Sequence, residues 1–467
     1  MIEGLKPYAD SAKTKPMTRT SEINIPWLTA IPEHWKIVRS KGLFTARTER
    51  ARLDDEQLSA TQAYGVIPQK EFENRVGRKV VRITQNLEKR AHVEPDDFVI
   101  SMRSFQGGLE RAWARGCIRS SYVVLKPSPE TEVGYFAHLF KSVDYIRALQ
   151  ATSNFIRDGQ DLNFNNFSLV DLPLPPLDEQ AAIAKCLDHA NRKIDGFIRA
   201  KRKLIGLLNE QKQAIIHRAV TRGLDPDVPF KSSGIPWLGD IPAHWDVLRA
   251  KYLFHEVDDR SKTGSETHLS MSQRLGLVPS NMVESSLRSE SYAGGKLCME
   301  GDLVLNRLKA HLGVFALAKQ GGVISPDYTV FRKKTAISME YFESVLRSSA
   351  CRRELRIRAK GLVEGFWRLY TDDFYDIRLP VPPIDEQVEI MSAITVETSA
   401  LNTAIARTER EIALIQEYRT RLTADIVTGK LDVREAAAKL PDLPTDPAGE
   451  VLTDEALDDS ETEDAEA

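Results

Sequence analysis

Pro173-Leu174-Pro175-Pro176-Leu177-Asp178-Glu179-Gln180 recurs 207 positions later as Pro380-Val381-Pro382-Pro383-Ile384-Asp385-Glu386-Gln387. In each copy the prolines cannot continue a strand ladder, and an aspartate follows where it complements the positive end of a helix. After the first copy, Ile183, Leu187, Ala190, Ile194, Ile198, Leu204, Leu208, Ile215 and Ala219 make one apolar stripe. After the second, Val388, Met391, Ile394, Leu401, Ile405, Ile412, Ile415, Leu422 and Ile426 do the same. The spacing predicts long helices over about 178–222 and 385–428, closed by Gly223 and Gly429. Some 45 residues at 1.5 Å each would span roughly 68 Å. So long a helix with so narrow a stripe needs a partner. The other copy is the obvious one, giving an antiparallel pair with a globule at each end. The competing arrangement breaks each helix and folds it back on its own globule.

Working outward, the repeat widens. Ile25-Pro26-Trp27-Leu28 returns as Ile235-Pro236-Trp237-Leu238, and Ile31-Pro32-Glu33-His34-Trp35 as Ile241-Pro242-Ala243-His244-Trp245, both 210 positions on. Phe44 matches Phe254, Tyr135-Phe136 matches Tyr341-Phe342, and Val220-Thr221 matches Val427-Thr428. Ordered matches over such a length mark an internal two-fold duplication. Matching is strong near 23–44 and 170–185 and weak across 45–130 against 255–335. A frame that is kept while its insertions drift suggests two modules that recognise different things. A two-copy active site would keep matching catalytic residues.

The variable parts read as strands: 79–83, 98–102 and 122–125 in the first half, 302–305, 314–317 and 328–331 in the second. Helices are expected at about 132–151 and 338–359. The fold class is therefore mixed α/β (α+β): two similar globules joined by two long antiparallel coiled-coil helices. The expected divisions are a flexible lead over 1–22, a first globule over 23–176 and a central helix over 177–224. A second globule over 225–383, a C-terminal helix over 384–430 and an acidic disordered tail over 431–467 follow.

Composition sets the class. The chain has 467 residues, 42% hydrophobic and 28% charged, as expected for a multi-domain globular protein. The longest run without a charged residue, Gln57–Gln69, is 13 residues, short of the roughly 20 that a membrane helix needs. MIEGLKPYAD lacks a signal-peptide plan, and the expected location is the cytoplasm. Cys117, Cys186, Cys298 and Cys351 are too scattered for a zinc ribbon or a disulfide scaffold. The net charge of −3 averages two regions, because residues 441–467 hold eleven Asp or Glu and no Lys or Arg. Without them, 64 basic against 67 − 11 = 56 acidic residues leave about +8. That permits a nucleic-acid partner.

Catalytic signatures are missing. No GxxxxGK[ST] phosphate loop occurs. The Pro-Pro pairs run into Leu177 and Ile384, not the aromatic residue of an amino-methyltransferase motif. Pro326-Asp327 precedes Phe331-Arg332-Lys333 but lacks the acid that a nuclease needs before its lysine. His34 and His244 lie near no metal-binding cluster in sequence. Packing and a backbone hydrogen bond are their expected role. The tryptophans Trp27, Trp35, Trp237 and Trp245 are expected as clamps. Glu179 and Glu386, with the preceding aspartates, are expected as helix-start caps. No metal site is expected.

Basic and amide side chains are dense in the variable parts. They can contact phosphates, and Arg, Gln and Asn also read guanine and adenine edges in pairs of hydrogen bonds. Candidate DNA contacts are Arg78, Lys79, Arg103, Gln106, Arg157, Gln160 and Asn163 in the first half, and Arg307, Lys309, Lys360 and Arg368 in the second.

Two diverged modules, each entered by Ile-Pro-x-His-Trp and left through Pro-x-Pro-Pro-x-Asp-Glu-Gln into a long helix, resemble the specificity subunit of type I restriction-modification enzymes. The resemblance covers about residues 23–430. Its repeated frame includes Trp35, Pro175, Pro176, Glu179 and Gln180, matched by Trp245, Pro382, Pro383, Glu386 and Gln387. It implies two target recognition domains, each reading one half of an interrupted site in double-stranded DNA. It further implies helices that bind two methyltransferase subunits, joined by motor-nuclease subunits for restriction. The chain itself would be non-catalytic and hold no cofactor, with S-adenosylmethionine, ATP and Mg on the partners. Two other readings stay open: a helical scaffold that binds no DNA, and a stand-alone DNA-modifying enzyme.

Overall fold

The computed structural model describes residues 5–8, 14–16, 27–28, 30–77, 79–80, 87–101, 108–152, 155–156, 159–160, 162–272, 275–283, 292–308, 314–360 and 368–442. The chain divides into two compact units, one made of Met1–Arg202 with Arg410–Ala467, the other of Lys203–Glu409.

In the first unit a four-stranded antiparallel sheet runs Glu110–Arg111, Phe98–Ile100, Val123–Pro127, Phe44–Ala46. The second unit repeats the order as Phe315–Leu317, Leu303–Asn306, Tyr328–Lys333, Phe254–Val257. Smaller ladders repeat too: Lys36–Arg39 with Asp171–Leu174 answers Asp246–Arg249 with Arg378–Val381. The hairpin Leu58–Thr61/Gly65–Pro68 answers Leu269–Ser272/Gly276–Pro279. The β-branched and aromatic runs of the variable segments pair in these sheets because one face packs on a core. Phe44 sits 5.1–5.9 Å, ring centre to ring centre, from Phe98, Phe136, Phe140 and Phe167. Its repeat mate Phe254 packs on Phe342 and Phe374. Aromatic pairs at such spacings add to the area they bury.

Each helix expected after the sheet is two helices. Val133–Phe140 is followed by Val143–Gln150, and Met339–Arg347 by Ser349–Arg358. The break is a serine: Ser142 Oγ donates to the carbonyl of Leu139, and Ser348 Oγ to that of Val345, both at 2.7 Å. A hydroxyl that satisfies a carbonyl of the preceding turn competes with helix continuation. Lys79 and Val80 lie in no strand, and residues 81–83 of that expected strand fall outside the described residues.

The long helices are continuous, Leu177–Arg222 and Ile384–Val427. In the first unit Lys201 Nζ lies 2.6 Å from Glu411 Oε2, and Asp195 pairs with Arg419. Ile183, Leu187 and Ala190 share one core with Leu422 and Ile426. In the second unit Lys212 Nζ donates to Asn402 Oδ1 at 2.7 Å. There Ala219 and Val220 share a core with Ile390 and Ile394. Falling numbers on one helix meet rising numbers on the other, so the pair is antiparallel and the fold-back arrangement is excluded. Gly223 and Gly429 end the helices at φ +74° and +73°.

The ends of the chain differ from expectation. Lys6–Pro7, assigned above to a flexible lead, pairs with Leu431–Asp432, and Tyr8 is 1% exposed in the first unit's core. The acidic tail does not begin at 431 either. Arg434–Ala438 is helical, with Val433, Ala436 and Ala437 buried. Lys185 Nζ reaches Asp442 at 2.7 Å. Such short apolar pieces carry no periodicity, so composition hid them. Residues 443–467 lie outside the described residues. Among the described residues no helix is long and apolar enough to cross a membrane.

Candidate nucleic-acid interface and the motif that frames it

The repeated motif is a joint. Pro176 accepts hydrogen bonds from the amides of Glu179 and Gln180 at 3.0 and 2.9 Å. Gln180 Nε2 donates to the carbonyl of Pro175 at 2.8 Å, and its Oε1 accepts from the amide of Glu132 at 2.8 Å. Gln387 does the same with the carbonyl of Pro382 and the amide of Ser338, both at 2.8 Å. The glutamine thus ties the start of the long helix to the start of a short one. Buried backbone groups need such partners.

The histidines and glutamates belong to the same joint. His34 Nε2 lies 2.8 Å from Glu179 Oε2, and His244 Nε2 lies 2.8 Å from Glu386 Oε2. The expected backbone partner of each histidine is a carboxylate instead. Each glutamate, expected as a helix cap, reaches across to the Ile-Pro-x-His-Trp entry. Trp245 Nε1 also donates to Glu386 Oε1 at 3.0 Å. Trp27 Nε1 donates to the carbonyl of Asp171 at 3.2 Å, the clamp expected of it. Burial pushes the Glu179 carboxyl up to about 7, partly countered by the nearby Arg434.

Sequence reading missed the role of the repeated tyrosines. Tyr135 Oη donates to the carbonyl of Val427 at 3.1 Å, and Tyr341 Oη to that of Val220 at 2.9 Å. The last carbonyls of a helix lack intrahelical partners. Each globule therefore grips the end of the other repeat's helix, which accounts for the recurrence of Tyr-Phe and Val-Thr together.

The candidate DNA contacts divide. Arg78, Arg103, Gln106, Arg157 and Lys309 lie outside the described residues. Lys79 is exposed. Gln160 lies in the short hairpin Phe155–Ile156/Gly159–Gln160. Asn163 has a structural duty: its Oδ1 accepts from the amides of Asn165 and Asn166, capping the helix Phe164–Ser168. Other basic residues are spent on carboxylates, Arg111 on Asp96, Arg115 on Asp54 and Arg332 on Asp302.

Three candidates meet in the second unit. Arg307 follows the strand Leu303–Asn306, and its Nε donates to the carbonyl of Asp327 at 2.8 Å. The backbones of Lys360 and Arg368 pair in both directions at 2.9 and 2.8 Å, and the amide of Leu369 donates to the carbonyl of Arg307 at 3.2 Å. Lys360 Nζ reaches Asp373 Oδ1 at 2.6 Å. Asp327, weighed above only as a nuclease acid, sits between the two arginines. Among the described residues no cluster of His, Cys, Asp or Glu could hold a metal ion.

Comparison with known proteins adds four findings. Residues 32–204 match the family model of the type I restriction modification DNA specificity domain. The specificity subunit of the EcoKI type I restriction enzyme of Escherichia coli is 24% identical over 393 residues, 75% of this chain and 82% of that protein. The MjaVIII specificity subunit of Methanocaldococcus jannaschii is 22% identical over 423 residues, 86% of this chain and 94% of that protein. A chain solved in work on complex assembly and conformational transition of the type I R-M system shares the fold. It has a TM-score of 0.58 and 14% identity, covering 86% of this chain and 99% of that one. With the duplicated frame, the paired long helices and these likenesses together, the chain is similar along most of its length to the specificity subunits of type I restriction-modification enzymes.

Proposed function

We propose that the chain recognises an interrupted, asymmetric site in double-stranded DNA, one unit reading each half. Its role is recognition, and the catalysis of the complex belongs to other subunits. One target recognition domain comprises about residues 23–176 and the other about 225–383. The observation that carries this reading is the contrast between a repeated frame and unlike polar side chains at matching places. The histidine–glutamate contact and the glutamine bonds of the joint around Glu179 recur around Glu386. The carboxylate of the Arg307–Asp327–Arg368 group is not repeated, because Ser121 stands at the place of Asp327. Frame is conserved by folding, and reading heads are freed to differ.

The paired helices offer two methyltransferase subunits a platform each, and motor-nuclease subunits join for restriction. S-adenosylmethionine, ATP and Mg act on those partners, in the cytoplasm where the DNA lies. The test is to co-express the chain with its methyltransferase subunit and map methylated adenines across the genome by single-molecule sequencing. A two-part motif with a fixed gap is expected. A complex that assembles yet methylates without a two-part motif would overturn the reading and leave a helical scaffold.

A further inference from the structure

The second unit carries a pair of arginines on one carboxylate. An Nη of Arg307 lies 3.8 Å from Asp327 Oδ1, and one of Arg368 lies 3.9 Å from the same oxygen. Arg307 is anchored further by its bond to the Asp327 carbonyl. Asp327 is itself fixed in the turn before Tyr328, whose amide donates to the carbonyl of Ser325 at 3.1 Å. The side chains remain open to a ligand, with Arg368 and Asp327 about half exposed and Arg307 a quarter. Two guanidinium groups against one carboxylate leave an excess positive charge, which suits a polyanion.

Long arginine side chains lose much rotamer freedom on binding, so a carboxylate that holds them beforehand lowers that cost. A guanidinium fork matches the O6 and N7 acceptors of guanine in the major groove. The first unit folds the same turn, with the amide of Tyr122 donating to the carbonyl of Arg119 at 3.0 Å. There Ser121 occupies the place of Asp327, so folding the turn does not require the carboxylate. A carboxylate present in one copy only, on a turn that both copies build, has the distribution of a specificity determinant.

We propose that Arg307 and Arg368, positioned by Asp327, read a guanine in the half-site bound by the second unit. This rests on the proposed reading of each unit as a DNA reader. The test compares methylation motifs of the assembled methyltransferase complex containing the wild-type chain, Arg307→Ala, Arg368→Ala or Asp327→Asn. Each arginine variant is expected to relax one G·C position of one half-site, with the preference for guanine falling roughly ten- to a hundred-fold. The other half-site stays sharp. Asp327→Asn relaxes the same position while total DNA affinity holds or rises, because a negative charge has gone; a merely structural residue would not separate the two.

Variants that assemble and keep a sharp motif would reduce the group to an ion pair that secures the chain, overturning the inference. A uniform loss of methylation with the motif intact would assign the arginines to phosphates, which also overturns it. Should an alanine variant fail to assemble, Arg368→Lys keeps the charge without the fork and must relax the same position. A wild-type complex without a two-part motif would sink the proposed function itself. A two-part wild-type motif that no variant alters sinks only this inference.

Discussion

The joint around Glu179 and the joint around Glu386 share their histidine–glutamate and glutamine contacts, and they differ in what surrounds the carboxylate. In the first unit the pair Lys6–Pro7 and Leu431–Asp432, with Tyr8 and Arg434, lies over the site, and Glu179 is 2% exposed. In the second unit Glu386 is 23% exposed and Trp245 gives it a second hydrogen bond. Tyr8 packs near both His34 and Trp35, at 6.0 and 6.1 Å between ring centres. The cover joins two segments far apart in sequence, residues 6–8 and 431–434. A repeated motif therefore fixes a local geometry, while the surroundings set its energetics. Four perturbations separate the two joints.

Removing the cover has the largest expected effect. Tyr8→Ala empties a fully buried aromatic site and should cost about 3–5 kcal/mol. Hydrogen exchange read by mass spectrometry should show faster exchange in Met1–Arg202 and Arg410–Val427, with Lys203–Glu409 unchanged. Equal loosening of both units would break the contrast. The helix-ending glycines come next. A Cβ on Gly429 would lie 2.4 Å from Pro32 Cδ, whereas one on Gly223 meets nothing nearer than 3.3 Å. Both have positive φ, which costs a β-carbon about 1–2 kcal/mol. Gly429→Ala adds overpacking of about 1–3 kcal/mol. Its thermal midpoint should fall further than that of Gly223→Ala, and the reverse order would refute the packing account.

The third test is pH. Burial raises the Glu179 carboxyl from its ordinary 4.5 to about 7. A raised carboxyl contributes stability that is fully present below pH 4.5 and is lost as pH climbs to about 7, here of order 1–3 kcal/mol. Glu179→Gln should flatten that part of the first unit's melting profile, with Glu110, also raised to about 7 by burial, left in place in both proteins. An unchanged slope would mean that the cover does not desolvate the carboxyl. The smallest effect belongs to the tyrosines. Tyr135→Phe and Tyr341→Phe each remove a hydrogen bond to a helix-end carbonyl and should cost about 1 kcal/mol, in the first and second unit respectively.

The frame was legible because duplication printed it twice. Pro-Pro-x-Asp-Glu-Gln, the two stripes and Gly223 with Gly429 located both long helices to within a residue or two. The partners of His34 and Glu179 were not legible, since nothing in one-dimensional spacing says that an entry motif meets an exit motif. Ser142 and Ser348 broke helices that an unbroken apolar pattern had run together. Tyr8 and Val433 were lost in segments read only for charge. Among the candidate contacts, residue type alone could not separate Asn163, which caps a helix, from Arg307 and Arg368, which converge on Asp327.

That two units of one frame read two half-sites independently is tested most directly by exchange. Residues 225–383 would be replaced by the corresponding module of another specificity subunit, and the methylated adenines of the assembled complex mapped by single-molecule sequencing. The predicted result is a hybrid motif, with one half-site replaced by the donor's and the other kept. Replacement of both half-sites, or of neither, would contradict the assignment of one reading head to each unit.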